Sequence, residues 1–284
     1  MNPASMPTWT VHRAGEQSLA RLAELHAAGF AGYAAPVQMD AAALSDRMRS
    51  EDIDLWSSFT LHHEGRDVVL VLIARRGAAT RIASMGVPLD ARRQGWGRRA
   101  LQVALDEARE RGDSVQLEVL TTNEGAVALY SSMGFRVART LVGFEGALSP
   151  TSGAMPASAG GVLRRIPIGQ AAAQVAQHAP GLTWQLDAPS LYALGSDWQA
   201  WTDGPAVVVT KSSGTTLHVL CLLTHPDHRR QGHARSLLGR VAAVEGTDRV
   251  RVISIVPDGL ADDFFHRCGV ATAPLRQYEM THHG

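Results

Sequence analysis

Two stretches of this chain carry nearly the same residues. "ARRQGWGRRAL" runs from Ala91 to Leu101 and "HRRQGHARSLL" from His228 to Leu238, with Arg-Arg-Gln-Gly identical in both. Each lies between an apolar strand-like segment and an amphipathic helix-like one, which puts its glycines at a helix N-terminus. Backbone N–H groups there lack intrahelical partners and sit at the positive end of the helix dipole, so they suit a phosphate or pyrophosphate. Gly95 and Gly97 have no Cβ and let an anion approach the main chain. In the second copy Gly232 keeps the first of these positions and Ala234 takes the other. Arg92, Arg93, Arg98 and Arg99, with Arg229, Arg230 and Arg235 in the second copy, are candidates to reach further phosphates. Two other phosphate devices do not fit: no Gly-Lys-Ser/Thr follows a glycine loop, and no Gly-x-Gly-x-x-Gly lies near an N-terminal strand.

The bulk properties bound what such a loop can serve. The chain has 284 residues, 45% apolar and 19% charged, enough for two ordinary domains or one large one with a sizeable core. Basic and acidic residues balance at 27 each, which argues against nucleic acid or an anionic membrane as partner. The two cysteines, Cys221 and Cys268, form no spaced set for a disulfide framework or a zinc site, and no metal is expected. The N-terminus, "MNPASMPTWTVHRAGEQ", has no charged start followed by an apolar core, and no apolar run approaches the roughly 20 residues of a membrane helix. The expectation is a cytoplasmic protein.

The elements that must position the loops follow from periodicity. "ALSPTSGAMPASAGG", rich in Ser, Pro, Ala and Gly and uncharged, predicts a linker. It divides the chain into domains at 1–147 and 162–284, with a linker at 148–161. In the first half "TWTVHRA" predicts a strand, "SLARLAELHAAGF" and "AAALSDRMRS" predict helices, and "SSFTLHHEG", "RDVVLVLIARRG" and "ATRIASMGVP" predict successive strands. A helix follows the loop, with Leu101, Ala104, Leu105 and Ala108 at i, i+3, i+4, i+7. Then come a strand "SVQLEVL", a helix "NEGAVALYSSMG" closed by Gly134, and the last strands in "FRVARTLVGF". The second half repeats the later part of this order; between Gly161 and Trp201 the pattern predicts nothing definite.

"VPLDARRQGWGRRAL" followed by "LEVLTTNEGAVALYSSMGF" resembles the GCN5-related N-acetyltransferases (GNAT), whose signature is Arg/Gln-x-x-Gly-x-Gly/Ala after a strand, then a strand, an Asn and a Tyr-x-x-x-Gly-Phe segment. "THPDHRRQGHARSLL" matches the loop signature in the second half. The resemblance implies an α/β (α+β) chain of two tandem GNAT-like domains, each a mixed, mostly antiparallel sheet flanked by helices. It implies acetyl-CoA as cofactor, its pyrophosphate bound by the main chain from Gln94 through Gly95, Trp96, Gly97 and Arg98 to Arg99. It further implies that the strand at Met85, Gly86 and Val87 splays open and pairs with the pantetheine arm, with Asn123, Ala126 and Tyr130 beside that arm. Arg229, Arg230, Gln231, Gly232, His233 and Ala234 would form the second loop. The implied activity is acetyl transfer to a primary amine of a small-molecule or peptide acceptor, by a monomer or homodimer.

Acetyl transfer needs a neutral amine, donors for the oxyanion and a proton for the departing thiolate. Tyr130, a phenol protonated at neutral pH, is the candidate acid, and Asn123, seven residues earlier, can share its helix face. Counting back from Gly269 puts Phe265 and Asp258 at the corresponding positions of the second half. Phe cannot donate a proton and Asp brings negative charge, so the second copy is expected to be degenerate. Glu118, on "QLEVL", can accept a proton through water or pair with an arginine. His62 and His63 offer a base or a solvated edge pair. Asp46, Glu51, Asp52 and Asp54 read as a solvated face, Cys268 as buried filler and Trp96 as packing. Two alternatives stay open: a CoA-sensing protein without transfer, and catalysis by the C-terminal copy.

Overall fold

Among the strand-forming segments, the first-half run Arg66–Arg76 is buried along seven consecutive positions, the signature of a strand covered on both faces. It is the middle of a set of elements described here from a computed structural model covering residues 9–33, 39–149 and 161–283. In chain order these are β1 (Trp9–Arg13), α1 (Leu19–Gly29), α2 (Ala41–Glu51), β2 (Phe59–His63), β3 (Arg66–Arg76), β4 (Ala79–Gly86), α3 (Trp96–Arg111), β5 (Ser114–Leu120) and α4 (Glu124–Ser132). There follow β6 (Arg136–Ala147), β7 (Arg164–Ile166), α5 (Ile168–His178), α6 (Ala188–Tyr192), β8 (Gln199–Asp203), β9 (Ala206–Ser213) and β10 (Thr216–Thr224). The chain closes with α7 (His233–Val244), β11 (Arg249–Pro257), α8 (Asp262–Arg267), β12 (Ala271–Thr272) and β13 (Gln277–His282). Of the expected linker, residues 150–160 lie outside the described residues.

The chain divides into two compact units. The first comprises Met1–Val119, Asn123–Ala138 and Glu279–Gly284; the second comprises Leu120–Thr122 and Arg139–Tyr278. In the first the strands run β1-β2-β3-β4-β5-β13, and in the second β7-β8-β9-β10-β11-β6. The first four strands of each are antiparallel neighbours, and the fourth and fifth pair in parallel. The sixth strand of each unit comes from the other half of the sequence. The α/β class with mixed, mostly antiparallel sheets flanked by helices is as expected.

The segment where periodicity predicted nothing definite folds as β7, α5, α6 and β8. Helix α5 buries Ala171, Ala172 and Val175, so its apolar stripe is built mainly from alanines and is faint on any hydropathy pattern. "FRVARTLVGF" belongs to one long strand, β6, not several.

Candidate active site

The first unit's site begins with a defect in β4. Ala83 is an extra residue between the pairs Leu72↔Ser84 and Ile73↔Ile82, a β-bulge. Parallel pairing of β4 with β5 ends at Ile82↔Leu117, although β4 continues to Gly86 and β5 to Leu120. The two strands part beyond that point, while β4 stays bonded to β3 through Met85 and Gly86. Gly86 is required here: its ideal Cβ would lie 3.0 Å from the Cα of Gly29 and 3.3 Å from the ring of Phe30.

Beyond β4 the chain turns through Leu89–Ala91 and enters the loop. Arg93 has φ 62° and Gly95 φ 82°, both left-handed. Glycine adopts this freely, whereas an L-residue such as arginine is strained by roughly 1–2 kcal/mol. A Cβ on Gly95 would also come within 3.2 Å of Arg99 Nη1. Helices α1, α2 and α4 are capped by the side chains of Ser18, Asp40 and Asn123, but no side chain caps α3. Its first N–H groups are therefore presented by an uncapped, glycine-led turn, the geometry of an anion site.

The loop arginines have separate tasks. Arg92 Nε donates to the carbonyl of Val87 at 2.9 Å, and its Nη2 donates to the carbonyls of Gly29 and Ala31 at 3.0 Å each. Gln94 Nε2 donates to Asp90 O at 2.8 Å. Arg98 bonds Ser132 Oγ at 2.6 Å, and Arg99 bonds Gln94 O at 2.9 Å with its guanidinium 4.7 Å above the Trp96 ring. These contacts brace the loop. Among the described residues Arg93 alone of the four makes no such bond. Trp96 is buried and packs beside His63, with ring centroids 4.8 Å apart. Gly97 is a packing glycine: its ideal Cβ would meet Leu129 Cδ2 at 3.3 Å and Met85 and Val87 at 4.0 Å.

Tyr130 is buried on α4, its ring 5.9 Å from that of Phe135. Burial, and secondarily the phenol of Tyr33, pushes its pKa well above the ordinary value. Asn123 is the N-cap of α4 and accepts from the N–H of Ala126 at 3.3 Å, so its amide holds the start of the helix that carries Tyr130.

Glu118 is where the sequence left two readings open. Its carboxylate accepts from Arg81 Nε at 2.9 Å and from Arg81 Nη2 at 2.7 Å, and both side chains are buried. Arg81 also binds Glu51 at 2.6 Å, and Glu51 binds Arg47 at 2.8 Å. Arg47 reaches on to Ala83 O, the bulge carbonyl, at 2.5 Å. Glu118 is thus an ion-pair partner that ties β5 to β4 just where the strands part. Burial opposes ionisation of Glu51, but Arg47 and Arg81 more than offset it and hold its pKa down to about 2. The reading of Glu51 as part of a solvated face is corrected: it is paired with Arg47 on its own helix and with the buried Arg81 on β4. Asp52 pairs with Arg76 at 2.6 Å, and Asp54 accepts from Ser57 at 2.6 Å. His26 completes this layer, fully buried with Nε2 3.0 Å from Ser84 Oγ. Burial, then Arg47, lowers its pKa to about 4.

The second unit repeats the geometry. Leu220 is the extra residue of a bulge between Val219 and Cys221, and parallel pairing of β10 with β11 ends at His218↔Arg251. Arg230 has φ 61°, Gly232 φ 87°, and α7 has no side-chain cap. Arg229 donates to Thr224 O at 3.3 Å and to His178 O at 3.4 Å, and Gln231 donates to Asp227 O at 3.3 Å. His178, His225, His228 and His233 stand where the first unit has Gly29, Pro88, Ala91 and Trp96, their rings in a row with centroids 4.6, 5.8 and 6.2 Å apart. Phe265 occupies the place of Tyr130: the N–H of Val270 bonds its carbonyl as that of Phe135 bonds Tyr130. Its ring stacks on Phe144 at 4.5 Å. Asp258 does not cap α8, which starts at Asp262; it faces Arg276 at 3.5 Å.

Comparison with known proteins agrees with this geometry. Residues 57–135 match the acetyltransferase (GNAT) family. A GCN5-related N-acetyltransferase from Sphaerobacter thermophilus superposes with a TM-score of 0.71 at 15% identity, covering 96% of this chain and 95% of that one. A tandem GNAT protein from the clavulanic acid biosynthesis pathway gives 0.68 at 15% identity, over 96% and 97%. A putative acetyltransferase from Pyrococcus horikoshii gives 0.68 at 13% identity, over 100% and 92%. Among curated proteins none matches. The structural likenesses show the fold, and no described helix is long and apolar enough to cross a membrane. Residues 57–135, with the uncapped glycine turn and the parting of β4 from β5 within them, are thus similar to the acetyltransferase (GNAT) family, and the chain shares its fold with solved GNAT structures.

Proposed function

We propose that the first unit is an acetyl-CoA-dependent N-acetyltransferase site, transferring acetyl to the primary amine of a small-molecule or peptide acceptor. The observation that carries this is the parting of β4 from β5 after Ile82↔Leu117, directly before an uncapped α3. The free edge of β4 offers main-chain bonds to an extended pantetheine arm, and the bare Gly95 turn fits a pyrophosphate. When bound, acetyl-CoA supplies an activated thioester. Arg93, strained and without a partner among the described residues, is the loop arginine placed in reach of phosphate. Tyr130, kept protonated by burial, gives a proton at the departing sulfur. Glu118 acts as a positioning residue through Arg81.

The second unit keeps the bulge, the parted strands and the loop, but has Phe265 for the acid. This supports a CoA-binding or sensing role for that unit, without transfer, as the second reading. Two buried, free cysteines agree with the cytoplasm as the place of action, and the working form is taken as a monomer or homodimer.

Release of CoA thiol from acetyl-CoA, assayed against a panel of primary amines, tests the proposal. Tyr130→Phe should leave the acetyl-CoA affinity unchanged and slow turnover by roughly 10²–10⁴-fold. Tight binding of acetyl-CoA with no release to any amine would favour sensing instead.

A further inference from the structure

The cysteines gave no metal set, but the fold of the first unit assembles one from residues far apart in sequence. Strand β1 pairs with β2 in the register His12↔Thr60 and Thr10↔His62, and β2 with β3 in the register His62↔Asp67. His12 and His62 therefore stand on one face, diagonal to each other across an edge strand, with Asp67 beside His62 on the third strand. Their ligand atoms lie within 4.8 Å of one another. The two imidazoles are stacked, centroids 4.8 Å apart and 13° from parallel.

Three details separate this cluster from an ordinary stacked pair. His62 Nδ1 lies 3.5 Å from Asp67 Oδ1, long for a hydrogen bond. Two ligand atoms each about 2.1 Å from a tetrahedral ion are about 3.4 Å apart, so this pair already has the separation a zinc ion imposes. The carboxylate is also held from behind. Arg21 binds Oδ2 at 3.1 Å, and Thr60 donates to Oδ1 at 2.9 Å while itself accepting from Gln17 at 3.2 Å. Finally, Thr10 Oγ1 lies 3.0 Å from His12 Nε2, an outer partner for that ring. Oriented outer partners of this kind are what metal-ligating imidazoles and carboxylates require. The charges also suit a dication: Arg21 is shared between Asp67 and Glu24, leaving one net negative charge.

We infer that His12, His62 and Asp67 form a divalent transition-metal site, with zinc the ion its donor set fits best. Two nitrogens and one carboxylate oxygen suit borderline ions over magnesium or calcium, which take all-oxygen sets. Rotation of the His12 ring brings its nitrogen into the first coordination sphere, and water fills the fourth position. The bound ion clips the edge strand β1 to β2 and β3.

The test is calorimetric titration of ZnCl2 into the full chain after EDTA treatment, at pH 7.5, with MgCl2 as comparison. The expected result is one zinc equivalent with a Kd in the micromolar range or tighter, no magnesium binding, and at least a tenfold weaker Kd in His12→Ala and in His62→Ala. His12 is exposed on an edge strand, so its variant keeps the fold, as circular dichroism would verify. The inference is overturned by the absence of saturable zinc binding. It is equally overturned by zinc binding unchanged in both variants, including a single equivalent lost only with His225→Ala, which would put the ion on the histidine row of the second unit.

Discussion

Arg81 and Glu118 face each other across the last paired step of β4 and β5, joined by hydrogen bonds of 2.9 and 2.7 Å with both side chains buried. Removing the two partners has unequal consequences. Arg81→Met leaves Glu118 buried without its cation and Glu51 with Arg47 alone, and should cost about 3–5 kcal/mol. Glu118→Gln keeps a hydrogen-bond acceptor for Arg81, which retains Glu51, and should cost about 1–2 kcal/mol. Denaturant unfolding checks both values. If Glu118 were instead a general base, Glu118→Gln would abolish transfer with its pH profile while leaving stability almost untouched.

Arg93 can be separated from its bracing neighbours. Its φ of 62° is strained for arginine and tolerated by asparagine. Arg93→Asn should hold or slightly raise the thermal midpoint, yet weaken acetyl-CoA binding about tenfold, the scale of one charge-assisted bond. Arg92→Ala should do the reverse at first order, loosening the loop against the carbonyls of Val87, Gly29 and Ala31 and lowering stability together with affinity. Calorimetry beside thermal unfolding distinguishes the two, and equal losses of stability would remove Arg93 from the phosphate.

The two loops were legible because their whole geometry is local. Arg-Arg-Gln-Gly sets the left-handed turn, the helix start and the i−4 brace of the glutamine within a few residues, and it does so twice. Tyr130 and Phe265 were legible for the same reason, each being fixed relative to a following glycine. The pairing of Glu51 with Arg81 was not legible, because Arg81 lies on a strand thirty positions away and only register brings it under α2. The His12–His62–Asp67 cluster depends on the pairing of three strands in the same way. Helix α5 escaped because alanines make its buried face, and the origin of each unit's sixth strand escaped because sequence order does not specify which sheet a terminal strand joins.

The buried layer beneath β4 should make the first unit acid-sensitive. His26 has a folded pKa of about 4 against an ordinary 6.5, so it favours the folded state fully above pH 6.5 and loses that contribution as the pH falls toward 4. Glu51, at about 2 against 4.5, contributes above pH 4.5 and loses it on the way down to 2. Unfolding free energy should therefore decline in two overlapping stages below pH 6.5. His26→Gln should flatten the stage between pH 6.5 and 4 and leave the lower one. A profile unchanged by that substitution would show that His26 ionises freely in the folded chain.

Met280 offers a test of the exchanged strands. It is fully buried on β13, four residues from the end of the chain, yet Glu279–Gly284 belongs to the first unit, whose site lies in residues 83–130. Met280→Ala removes a buried side chain that cannot be replaced by rearranging a loop, and should cost about 2–5 kcal/mol. If β13 is an integral strand of the first unit, the loss falls there. Hydrogen exchange followed by mass spectrometry should then show weakened protection in β3, β4 and β5, with β8, β9 and β10 changed little. The acetyl-CoA affinity of the first unit should drop in parallel, since the β4–β5 opening depends on a β5 held from its other side. Protection lost from β8 to β10 while β3 to β5 stay protected would assign the last strand to the half of the sequence it follows, and would remove the exchange from the fold.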